Sequence, residues 1–136
     1  MASTDECLFI KLPARAENLA VVRHAVGNVA RQLGMIEPGV ADLQLVVTEA
    51  CANVVVHAYP DGPGGPLEVE ASREADELDL VVRDQGTGFD APTVPKNEGL
   101  RLGMALISTL ANSVDVFDRA GGGTEVCMRL PFPAGA

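Results

Sequence analysis

Glu49, Asn53 and His57 follow one another at i, i+4 and i+8 within an apolar stretch, so on a helix all three line one side. A carboxylate in such a row can accept a proton, and an amide oxygen one turn away can ligate a hard cation such as Mg²⁺. On a wheel of about 100° per residue, Leu43, Val46, Val47, Ala50 and Val54 form the apolar arc, and the polar row borders it. Spacing alone favours a plainer reading, with Glu49 solvated, Asn53 paired with backbone and His57 held near a helix C-terminus by the dipole.

A second candidate segment is Arg83-Asp84-Gln85-Gly86-Thr87-Gly88-Phe89-Asp90, which follows an alternating strand pattern. Asp84 at a strand end is a fixed acceptor suited to an exocyclic amine, and Gly86 and Gly88 let the backbone approach a planar ligand. The same residues also suit an ordinary surface turn. A calcium loop fits poorly, because the alternating acids and terminal Glu of an EF-hand are missing. Gly99-Leu-Arg-Leu-Gly103 opens another helical pattern, and free amides at a helix start are natural phosphate donors, although glycines there also serve simple turns. No G-x-x-x-x-G-K-[ST] occurs and no complete G-x-G-x-x-G follows a strand, which excludes the P-loop and the Rossmann fingerprint.

The elements that must position these residues can be read from periodicity. Cys7 to Leu12 predicts a strand, ended by Pro13 and suited to a sheet edge. Leu19, Val22, Val26, Ala30 and Leu33 predict a helix from Ala16 to a stop at Gly34. A second helix is expected from Pro38 to about Tyr59, broken by Pro60-Asp-Gly-Pro-Gly-Gly-Pro66. Leu67, Val69 and Ala71 alternate with polar residues, as do Leu78, Leu80 and Val82, predicting a hairpin with one buried face. After a loop from Asp84 to Glu98, the helical pattern resumes with Leu102, Leu106, Ile107 and Leu110. Val114 and Val116, then Val126, Met128 and Leu130, flank Ala120-Gly-Gly-Gly123 and predict a closing hairpin whose glycines permit positive φ. Strand, two helices, hairpin, helix, hairpin: this order predicts an α+β two-layer sandwich, with three helices on one face of a mostly antiparallel sheet. One-sided alternation argues against a doubly wound sheet, whose central strands would be apolar throughout.

Composition bounds the function. With 136 residues and 47% hydrophobic content, one domain over 1–136 is expected to bury its own core. A formal net charge of −9 repels phosphodiester backbones, so direct nucleic-acid binding is not expected. Cys7, Cys51 and Cys127 have neither disulfide nor zinc spacing and are expected to be buried small hydrophobes. The N-terminus is acidic where a secretory signal is basic, and no apolar run is read as approaching membrane-spanning length, so the cytoplasm is the expected compartment and no membrane association is expected.

Taken in order, these segments resemble the GHKL ATPases of Bergerat fold, and among them the anti-sigma-factor serine/threonine kinases. Glu49-Ala-Cys-Ala-Asn53-Val-Val-Val-His57-Ala-Tyr59 resembles the N box E-A-x-x-N-x-x-x-H-A-Y, and Asp84-Gln-Gly-Thr-Gly88-Phe89-Asp90 the G1 box. Gly103-Met104-Ala-Leu-Ile107 resembles the end of the G2 box, and Gly123-Thr124 the final G-T. The resemblance runs from the first strand to Leu130 and implies ATP and Mg²⁺ as cofactors. It assigns Asp84 to the adenine amino group with Thr124 nearby, Gly86 and Gly88 to the wall of that pocket, and Asn53 to Mg²⁺. It assigns backbone at Gly103 to the phosphates, with His57 and Met104 beside the cofactor, and Glu49 to general-base catalysis. Arg101 stands where the family usually has glycine; its guanidinium suits a terminal phosphate, and the other reading is that it crowds the loop. The implied partners are a STAS-type anti-anti-sigma protein as substrate, a sigma factor as competitor, and a second copy of the chain in a homodimer. The acidic surface is expected to help capture a basic sigma-factor face. Partner affinity should then fall strongly as salt is raised, and a salt-insensitive affinity measured by titration would contradict that contribution.

Overall fold

Each element expected from periodicity forms, in the expected order. The computed structural model describes residues 5–60, 64–86 and 98–134, with backbone alone at 5–7 and 98–102. The chain runs β1 (Asp5–Pro13), α1 (Asn18–Gln32), α2 (Glu37–Asn53), a π-helical turn (Val54–Ala58), β2 (Pro66–Glu74), β3 (Glu77–Asp84), α3 (Glu98–Leu110), β4 (Ser113–Asp118) and β5 (Thr124–Pro131). Sheet order is β1-β2-β3-β5-β4 and every pairing is antiparallel. β1 is thus an edge strand, as Pro13 predicts. The α+β class holds.

Alternation decides which face is which. Leu67, Val69, Ala71, Leu78, Leu80 and Val82 point inward and are buried, while Glu68, Glu70, Asp79 and Arg83 occupy the opposite face. There Arg83 pairs with Glu70 at 2.6 Å and Glu125 at 3.5 Å across three strands. α2 is the central helix, packed between α1 and α3 and over β3 and β5. Its predicted arc, Leu43, Val46, Val47, Ala50 and Val54, lies in the core together with Val40 and Cys51. A fully buried Leu or Val contributes roughly 1.5–3 kcal/mol relative to its exposed state, so this arc anchors the row of polar residues beside it.

Three expectations need correction. The α-wheel does not extend to His57, because from Val54 the chain winds as a π-turn; three consecutive β-branched residues, Val54 to Val56, crowd a tight α turn. The stretch Glu37–Ala58 does reach spanning length, with mean hydropathy 1.4 over its most apolar window. Val40, Leu43, Val46, Val47, Ala50, Cys51, Val54 and Ala58 of this stretch lie in the core, which accounts for most of that character, while Leu45 and Val56 are exposed. Of the cysteines, Cys51 is buried and its thiol is pushed up to about 12 by desolvation. Cys127 instead sits half-buried on the outer face, 3.7 Å from Glu125 Oε1. The side chain of Cys7 lies outside the described residues.

Candidate nucleotide site

Asp84 is the last residue of β3 and falls on the inward phase of its alternation, so the strand ends by turning a carboxylate into the core side of the sheet. It is only 6% exposed, and Thr124 at the start of β5 is equally buried. Arg83 faces Glu125 in the β3–β5 ladder, which sets Asp84 and Thr124 side by side at one end of the sheet. Asp84 Oδ1 accepts the Gly86 N–H at 2.8 Å, and the backbone N–H of Thr124 also donates to the carboxylate. Burial pushes the Asp84 carboxyl above the usual range, while the Gly86 and Thr124 amides and the Arg119 guanidinium pull it back.

Two glycines are required here by close approach. A Cβ at Gly86 would fall on the carbonyl of Ala58, and one at Gly123 on the carbonyl of Asp84. Gly123 also has φ +106, as do Gly121 (+88) and Gly122 (+109) in kind, the positive values expected of the β4–β5 turn. The π-turn that ends α2 therefore touches the turn that follows Asp84, through Ala58 and Gly86.

Just before that π-turn, near the same end of α2, Glu49 and Asn53 meet α3. Gly103 is buried there, and a Cβ on it would lie 3.2 Å from Glu49 Oε2 and 3.4 Å from Asn53 Oδ1. The structure changes what Gly103 can offer. α3 begins at Glu98, so Gly103 is its sixth residue, and the amides a helix leaves free are those of its first four. Gly103 gives clearance beside an acid and an amide, and the free donors belong to residues 98–101. Replacing it with valine should push Glu49 and Asn53 aside and lower nucleotide affinity by about tenfold or more, with little change in far-UV circular dichroism.

The structure thus brings together Glu49, Asn53 and Gly103, and separately Asp84, Gly86 and Thr124. Met104 packs partly buried against the core, and His57 lies half-buried in the π-turn, displaced from the α row. Gly88 and the side chain of Arg101 lie outside the described residues. Among the described residues no three His, Cys, Asp or Glu side chains form a metal cage. A divalent cation at Asn53 would take its other ligands from phosphates and water, as Mg²⁺ commonly does. Sequence reading missed Tyr59 and Arg119 as site residues. The Tyr59 hydroxyl donates to Pro66 O at 2.6 Å and accepts the Gln85 N–H at 2.8 Å, and Arg119 Nη1 donates to Asp84 O at 2.9 Å. Tyr59 is the chain's single tyrosine and closes the N-box-like segment, which was the available signal; Arg119 carried none.

The profile of the histidine kinase-like ATPase domain matches residues 12–130. The serine-protein kinase RsbW of Bacillus pumilus is 32% identical over 143 residues, covering 94% of this chain and 87% of the relative. That of Bacillus subtilis is 30% identical over 135 residues, covering 89% and 84%. Among solved structures, the RsbU and RsbW domains of a Mycobacterium tuberculosis protein superpose with TM-score 0.64 at 22% identity, over 95% of this chain and 34% of that one. The histidine kinase domain of a blue-light activated kinase from Erythrobacter litoralis gives 0.56 at 23% identity, over 97% and 65%. These two likenesses speak to the fold, and the matched profile and the curated relatives to the family. The chain belongs to the histidine kinase-like ATPase domain family, in its RsbW branch of ATP-dependent serine-protein kinases.

Proposed function

We propose that this chain, as a single kinase domain over 1–136, transfers a phosphoryl group from ATP to a serine or threonine of a STAS-type anti-anti-sigma protein. In the same reading it sequesters a sigma factor, the two partners competing for one homodimeric, cytoplasmic protein. The observation that carries this is the continuity of α2 with the turn after Asp84. One helix bears Glu49 and Asn53 against Gly103 and ends where Ala58 meets Gly86, so an acid–amide pair and a buried carboxylate belong to one site.

The residues present fit the cofactor. Asp84 is a buried acceptor with its orientation fixed by two amides, which suits the adenine amine, with Thr124 beside it. Gly86 forms the adjoining wall, and Gly88 is assigned to it by the motif alone. Asn53 offers Mg²⁺ an amide oxygen, and Arg101 is assigned to a terminal phosphate, with His57 and Met104 beside the cofactor. Bound ATP with Mg²⁺ supplies the phosphoryl group and neutralises the charge that moves with it. Glu49 accepts the proton of the partner's hydroxyl as that oxygen attacks, a role for which a binder that only holds nucleotide has no use. Incubation with γ-labelled ATP, Mg²⁺ and a purified STAS-domain partner is expected to label the partner on serine or threonine. Tight ATP binding with no transfer to any STAS partner would reduce the chain to a nucleotide-binding anti-sigma or sensing module.

A further inference from the structure

The hydrogen bonds around the end of β3 converge on one peptide unit. The carbonyl of Asp84 accepts from Arg119 Nη1 at 2.9 Å, and the N–H of Gln85, the other half of the same peptide, donates to the Tyr59 hydroxyl at 2.8 Å. We propose that Tyr59 and Arg119 are positioning residues that clamp the Asp84–Gln85 peptide from its two sides and thereby set the angle at which Asp84 reads the base.

Each jaw is itself held. The Tyr59 hydroxyl spends its proton on Pro66 O at 2.6 Å, so its lone pair is turned to Gln85, and its ring is backed by Gly65, where a Cβ would strike it. Arg119 sits at the mouth of the β4–β5 turn, its N–H bonded to Gly123 O at 2.9 Å and its carbonyl to Gly122 N at 3.1 Å. Gly123 lacks the Cβ that would cover the Asp84 carbonyl, which leaves that oxygen to the guanidinium. A peptide plane fixed at both its donor and its acceptor cannot rotate, so the Asp84 backbone from which the side chain projects is held in place, and the Gly86 and Thr124 amides fix the carboxylate at its far end. The jaws come from separate regions, the end of the N-box-like segment and the closing hairpin, so the clamp also ties both to the base-reading residue.

The proposal rests on Asp84 binding the adenine amine, and its test separates the two. Affinities would be measured by calorimetry for ATP and for purine riboside triphosphate, which lacks only the 6-amino group. Asp84→Asn serves as reference and should bring the ratio of the two affinities close to one. Tyr59→Phe and Arg119→Gln should each weaken ATP by about tenfold while changing the amine-free nucleotide by less than about twofold. If both nucleotides weaken alike, or neither changes, while Asp84→Asn erases the ratio, the clamp has no part in base selection and the proposal is overturned. If Asp84→Asn preserves the ratio, Asp84 does not read the amine, and the proposal falls with that reading.

Discussion

Asp84→Asn should lower ATP affinity by roughly 100-fold or more and leave the protein at least as stable at neutral pH as its parent. The loss follows from donor–acceptor matching. An asparagine oxygen can still take the Gly86 amide, but its NH₂ then meets the adenine amine, donor against donor. The stability follows from the raised carboxyl. Burial lifts the pKa of Asp84 above its ordinary 3.8, so the folded state holds the proton more tightly than the unfolded chain. Its contribution to stability is full below the unfolded value and is lost as pH rises through the folded one. At neutral pH the ionised carboxylate is a net cost that the amide removes. Thermal melts across pH should show the variant's advantage absent at about pH 3, growing upward through the acidic range and then level. A variant that melts well below its parent at neutral pH would mean that the amides and Arg119 more than compensate the burial.

Glu49→Ala should separate chemistry from binding. Removing a general base is expected to slow phosphoryl transfer by roughly 10²–10⁴-fold, while ATP affinity stays within about threefold, because Asp84, Thr124 and Asn53 remain. Single-turnover transfer to a STAS partner, with affinity measured in parallel, checks both halves. Retained transfer would remove Glu49 from the proton path, and lost binding would make it a structural or metal-holding group instead. Gly103 sharpens this expectation, since the clearance it leaves beside Glu49 is where a bulkier residue would displace the carboxylate without deleting it.

Much of this was legible in the residues, and the exceptions have physical reasons. The hairpin from Leu67 to Val82 and the arc from Leu43 to Val54 are strong periodic signals, because burial on one side imposes them. Motif order along the chain brought Glu49, Asn53, Asp84 and Thr124 forward as candidates before any geometry. Helix phase beyond Asn53 was not legible, since a π-turn changes the angle per residue and leaves no compositional mark beyond a β-branched run. The start of α3 was legible to within a residue, since Gly99 to Gly103 was expected to open it, but the expected phosphate-facing amide at Gly103 was not, because that residue falls inside the helix. The grips of Tyr59 and Arg119 escaped for another reason. Both act through backbone groups 26 and 35 residues away, and a main-chain partner has no side-chain identity to read.

What all of these depend on is that one pocket holds adenine at the sheet end and a metal-bound triphosphate beside α2. Calorimetric titration of folded protein with ATP, in the presence and absence of Mg²⁺, tests this most directly. Saturable uptake at one site per chain, markedly tighter with the metal, is the predicted result. Uptake that ignores Mg²⁺, or no uptake of adenine nucleotide at all, would contradict it.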